Sequence, residues 1–151
     1  MKRAILGVTG LTAAALCMGA APTATADTLD TSATAAVEWS ATHGSSTASG
    51  TRWTEKSSSG IGSALVITGE LRNTGSECHS IWVRWTYDFV TLPYAKRVTQ
   101  CGTGSAPVDI RLDPYWPTTT GSLKVCSGTE NTQDCGEAVS LTSWPVKQGA
   151  N

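Results

Sequence analysis

Along the middle of the chain, apolar and polar positions alternate. Ile81, Val83, Trp85, Tyr87 and Phe89 hold one parity, while Trp82, Arg84, Thr86, Asp88 and Val90 hold the other. A sustained period of two, rich in β-branched and aromatic side chains, predicts a half-buried central strand. Shorter runs repeat the pattern: Leu65, Ile67 and Leu71 against Val66, Thr68 and Glu70; Tyr94, Lys96 and Val98 against Ala95, Arg97 and Thr99; Val108, Ile110 and Leu112 against Asp109, Arg111 and Asp113. Leu123 and Val125 open a further strand, and residues 138–144 form the last. Turn signals stand between them at Asn73-Thr74-Gly75-Ser76, Leu92-Pro93, Gly102-Thr103-Gly104 and the polar loop 128–134. Asp113-Pro114-Tyr115-Trp116-Pro117 is expected to end its strand, because proline lacks the ladder donor. No stretch carries a helical period with caps. About seven strands between polar turns predict an all-β fold, an antiparallel β-sandwich of immunoglobulin-like or small-barrel type.

The earlier part of the chain is less patterned. Residues 27–62 are dominated by Thr, Ser, Ala and Gly. Ala35, Val37 and Trp39 alternate with polar neighbours, and Arg52-Trp53-Thr54-Glu55 offers a second weak strand. Residues 43–50 can bury almost nothing and read as a loop, as does Ser57-Ser58-Ser59-Gly60. The sandwich core is therefore expected in residues 63–151, behind a low-complexity segment with one or two weak strands.

Residues 1–26 have the layout of an address. Lys2 and Arg3 precede an uncharged stretch, 4–21, which Pro22 breaks before the small-x-small pattern Ala24-Thr25-Ala26. This order is that of a secretory signal peptide, with cleavage before Asp27 and a product outside the cell. At about 18 residues, the uncharged stretch only reaches the lower limit of a membrane span. Leu16 stands before Cys17 where a lipidated cysteine wants a small residue. No later segment is long and apolar enough to span a bilayer, so no membrane association is expected after cleavage.

Cleavage removes one of the 5 cysteines and leaves Cys78, Cys101, Cys126 and Cys135. An even number in an exported chain reads as two disulfides. Sequential pairing, Cys78–Cys101 and Cys126–Cys135, follows from each pair bracketing a predicted hairpin. No C-x-x-C occurs, and the spacing matches no zinc pattern, so no metal is expected.

Charge and motifs then remove function classes. With 11 basic and 12 acidic residues the formal charge is −1, and it becomes −3 once Lys2 and Arg3 are cut away. That balance argues against a nucleic-acid binder. Neither G-x-S-x-G nor S-x-x-K occurs, so a nucleophilic hydrolase has no elbow. His43 and His79 are expected to be solvated and at the surface, respectively. Asp109 and Asp113 lie four residues apart on one strand face with Arg111 between them. That separation is about 13 Å, beyond the reach of a glycosidase pair. H-E-x-x-H and calcium-loop motifs are missing, and Gly60-Ile61-Gly62 lacks the third glycine of a nucleotide loop. The sequence thus predicts no enzyme and no cofactor.

Tryptophan is what remains, with 6 residues against 1 Phe. Trp85 shares the apolar parity and belongs to the core. Trp82 points to the opposite face beside Arg84 and Thr86, and Trp116 sits in a proline-flanked loop. An exposed Trp next to Arg suits stacking on a sugar ring or anchoring a protein interface. Trp82, Arg84 and Trp116 are the candidate ligand-binding residues; the competing reading is that residues 57–62 or 115–117 fold over Trp82.

Glu70-Leu71-Arg72-Asn73-Thr74-Gly75 followed by Cys78-His79-Ser80-Ile81-Trp82-Val83-Arg84 resembles small exported proteins of uncharacterised function from high-GC Gram-positive bacteria, over about residues 64–135. The resemblance implies a secreted protein and lends no catalytic residues. Size and the two-disulfide plan are also similar to enediyne chromoprotein apoproteins and subtilisin-type inhibitors, whose local motifs do not occur here. The expected function is a non-catalytic extracellular module that binds a polymer, such as cell wall or polysaccharide, or a protein partner. A secreted protease inhibitor using loop 128–134 or 92–96 is the alternative, and a small hydrolase the third.

Overall fold

A computed structural model describes residues 36–143. Residues 1–26, where a signal peptide is expected, residues 27–35 and the chain from Trp144 onward lie outside the described residues. Nine strands follow one another: β1 Val37–His43, β2 Ser46–Lys56, β3 Ser63–Asn73, β4 Cys78–Tyr87, β5 Val90–Thr91, β6 Ala95–Cys101, β7 Gly104–Tyr115, β8 Thr120–Ser127 and β9 Val139–Ser140. They build two antiparallel sheets. The first has the order β1-β2-β3-β7; the second has the order β5-β4-β8-β9, with β6 continuing the β5 edge along β4. The fold is the predicted all-β sandwich, and both predicted disulfides form.

The alternating parities become the two inner faces. Leu65, Ile67, Leu71, Val108 and Ile110 from the first sheet meet Ile81, Val83, Trp85, Leu123 and Val125 from the second. Trp85 lies across Gly121, its partner on β8. A Cβ there would come within 2.1 Å of the indole, so only glycine lets the ring lie flat. Arg52 is buried too. Its guanidinium donates to the carbonyls of Ser140 and Ser143 and so fastens the β9 segment to β2, and burial pushes its pKa down.

Several expectations need correction. Residues 43–50 are no loop: β1 and β2 pair from Val37↔Arg52 to His43↔Ser46, joined by the two residues Gly44 and Ser45. Gly44 takes φ +55°, as the first position of a II′ hairpin turn requires. The inward residues of this hairpin are small (Ala41, Ser46 and Ala48 are all buried), so the segment looks low in complexity yet packs. Trp39, Ala41 and Ala48 belong to the core, which therefore begins well before residue 63.

The β4 strand ends at Tyr87, not beyond Phe89, and the chain reverses at Asp88-Phe89 rather than Leu92-Pro93. Tyr87 pairs with Val90, and both intervening residues have positive φ, 41° and 76°. This is the backbone of an I′ turn, normally Asn-Gly, so Asp-Phe hides it from a reading by residue type. Phe89, expected on the core parity, is fully exposed.

β7 also runs through Pro114 to Tyr115. It is an edge strand, where a missing donor costs no ladder bond, and the register against β3 shifts between Ser63 and Leu65, opposite that point. The last predicted strand contracts to the two residues of β9 within the described part.

Candidate functional site

The outer face of the second sheet carries the aromatic and cationic residues. Trp82 faces outward from the middle of β4, with Lys124 of β8 on one side and Lys96 of β6 on the other. Two residues further on, Arg84 pairs with Ser122. Tyr94, just before β6, completes the group. The Arg84 guanidinium carbon stands 4.6 Å from the centre of its ring and the Lys124 ammonium 4.3 Å, so one ring holds two cations. Beside Arg84 opens a groove of about 280 Å³ lined by Thr86, Thr120, Ser122 and Ser140, four hydroxyl side chains next to one guanidinium.

Trp82 is half-buried, and neither of the loops expected to cover it does so. Its Nε1 donates to Ser80 Oγ (2.8 Å), and the Ser80 hydroxyl donates to the Gly128 carbonyl (2.6 Å). Beside this face runs the loop 128–135, closed by Cys126–Cys135. Lys96 Nζ reaches the Thr129 carbonyl at 2.8 Å, and Lys124 Nζ the Thr132 carbonyl at 3.3 Å. Each ammonium keeps further donors for a ligand.

Trp116 does not join this face. It follows β7 at the end of the sandwich, its ring close to Gly62, and is 46% exposed. Among the described residues, Ile61, Phe89, Val90 and Leu92 are the other large exposed apolar residues, and all stand at that same end. Loop 57–62 there is pinned by Asp113. The Ser57 hydroxyl donates to Oδ1, while the Ser58 hydroxyl (2.7 Å), the Ser58 amide (3.0 Å) and Arg111 (3.2 Å) donate to Oδ2. Those donors, Ser57 first, hold the Asp113 carboxyl far below the usual carboxylate range. Arg111 also pairs with Glu55, whose pKa it lowers. The arginine between Asp109 and Asp113 is therefore ion-paired on its own face, with Asp113 and Glu55.

The histidines lie at the opposite end. His43 Nε2 is 3.0 Å from Asp134 Oδ1. Ser127 first, and then His43, hold the Asp134 carboxyl below its ordinary value. His79, expected at the surface, is buried with Nδ1 unpartnered, because it shares the inward parity of Ile81 and Val83. Its ring meets that of His43 edge-on at 6.3 Å. Among the described residues, no three His, Cys, Asp or Glu side chains are grouped to hold a metal ion.

Sequence reasoning placed Trp82 and Arg84 on the outward parity but did not single out Tyr94, Lys96 and Lys124, which the fold brings beside them. Lys96 was concealed by a β-bulge. Val98 and Lys96 share parity in sequence, but the register shift between Ile81 and Trp82 sends Val98 inward and Lys96 outward. Compared with protein-family models, curated proteins and solved structures, the chain matches none.

Proposed function

We propose that the chain is a secreted, non-catalytic module that binds an extracellular polymer through the outer face of its second sheet. The observation that carries this reading is the Tyr94 ring, held rigidly between Arg84 and Lys124 beside a groove of hydroxyl side chains. Flat aromatic surface with adjacent donors suits a polymer laid along a sheet. The two disulfides are compatible with an extracellular protein, and the signal layout of residues 1–26 supports export.

The oxidised protein, mixed with cell walls, peptidoglycan, chitin or cellulose and centrifuged, is expected to pellet saturably with at least one of them. Tyr94→Ala should abolish that pelleting and Trp116→Ala should leave it unchanged. Pelleting with none of these, nor with any charged polymer, overturns the reading.

Phe89 favours a second reading, that of a protein-docking module. A fully exposed aromatic on a two-residue turn of positive φ is a short, stiff prong, and strained backbone of this kind gathers at functional sites. The inhibitor alternative gains less support. Loop 128–134 is fastened down through Lys96, Lys124 and Ser80, and within 92–96 Tyr94 and Lys96 are engaged on the face.

A further inference from the structure

The two outer faces differ in how they treat charge, and that difference identifies the chemistry of the ligand. On the first sheet, Glu38, Glu55, Glu70 and Asp109 point outward among Arg72 and Arg111, and Arg111 is paired with both Glu55 and Asp113. On the second sheet, Arg84, Lys96 and Lys124 gather around Trp82 and Tyr94. Among the described residues, none of these three pairs with a carboxylate: their partners are the Tyr94 ring and the carbonyls of Thr129 and Thr132. Like charges brought together without ion-paired partners repel, and they raise a local positive potential that the near-neutral total conceals.

Resting on the polymer-binding reading, we infer that the ligand of this face is a polyanionic chain carrying regularly spaced phosphate or carboxylate groups. Lys96 and Lys124 flank Trp82 on neighbouring strands, which sets them about 10 Å apart across the sheet. Arg84 lies two residues further along β4, at the mouth of the hydroxyl-lined groove. The three cations therefore form a triangle rather than a point, suited to successive anions of one chain. The planar guanidinium can take a phosphate or carboxylate with two parallel bonds, while the lysines act as point charges. The aromatic rings supply contact area for the uncharged stretches in between.

The experiment measures binding of the oxidised protein to four probes at low and high salt: polygalacturonate, poly(glycerol phosphate), cellulose and chitin. Expected is binding to one or both anionic probes, weakened by salt, with Kd about tenfold or more higher in the Lys96→Gln/Lys124→Gln variant. Arg72→Gln, on the other face, should change little. The anionic probe that binds tells carboxylate from phosphate, and equal binding to both supports the shared chemistry. Salt-insensitive binding to cellulose or chitin that survives the lysine changes overturns the inference while leaving the polymer reading intact. Binding to none of the four, together with no pelleting on cell walls or peptidoglycan, overturns both. Arg84→Gln alone should weaken binding to the anionic probes in the same direction, and unchanged binding in that folded variant would overturn the inference even if the lysine variant proves unstable.

Discussion

The two sheets solve the same packing problem by different means. The first is made of long strands, of 7, 11, 11 and 12 residues, and its ladders are nearly continuous. No cystine touches it. The second has strands of 10, 8 and 7 residues plus two of only two residues, and both disulfides belong to it. Cys78–Cys101 ties β4 to β6, and Cys126–Cys135 ties β8 to the loop that follows. Short ladders gather fewer hydrogen bonds and less buried area, so the covalent links fall where non-covalent cohesion is thinnest. The cationic face is built on this braced sheet, which gives its lysines and Tyr94 a fixed spacing. The ion-paired, mostly acidic face is left to the sheet that carries no disulfide.

Removing the braces is the most direct way to break this contrast. Replacing Cys78 and Cys101 by Ala should cost about 3 kcal/mol, and the Cys126/Cys135 pair slightly less, as the shorter loop implies. Urea unfolding measures both. Hydrogen exchange in the second variant should rise over residues 128–134 and β8 while β1 and β2 stay protected; uniform loosening of both sheets would remove the distinction.

An intermediate effect is expected from acid. Asp113 is held far below its ordinary value in the fold, so its contribution is complete above the unfolded value of about 4 and declines as pH falls below that. Urea midpoints of the parent should therefore decrease between about pH 4 and 2. Asp113→Asn should flatten that slope and expose loop 57–62 to proteolysis without altering the cationic face. An unchanged slope would place the acid sensitivity elsewhere.

The smallest effect sharpens the picture at the β4–β5 turn. Phe89 occupies φ 76°, where an L side chain is strained and glycine is not. Phe89→Gly should therefore stabilise the protein by about 1 kcal/mol, read as a higher urea midpoint. A loss of stability would mean that the ring has packing partners not evident from its full exposure.

How far the sequence could be read depended on what each position encodes. Ile81, Val83, Trp85, Leu123 and Val125 were legible because burial and a period of two coincide in them. The β1–β2 hairpin was not, since Ala41, Ser46 and Ala48 bury little surface and mimic a loop, although Gly44-Ser45 between them was a readable turn signal. Trp82 and Arg84 could be placed outward by parity alone. Tyr94, Lys96 and Lys124 required the cross-strand register, which a single chain does not spell out, and the bulge opposite Trp82 reversed the parity of Lys96. His79 was misplaced for the opposite reason: its parity was available, but its polarity outweighed it.

The placement of the cystines also bears on mechanical load. A long polymer seated on the second sheet and pulled by growth or flow would drag on Arg84, Lys96 and Lys124, and so on β4, β6 and β8. Sliding β4 past β6 would then work against the covalent Cys78–Cys101 link as well as the hydrogen bonds of the ladder. The Thr129 and Thr132 carbonyls under the two ammonium groups sit in a loop tethered to β8 by Cys126–Cys135. Such a sheet should hold under tension better than its modest strand lengths suggest.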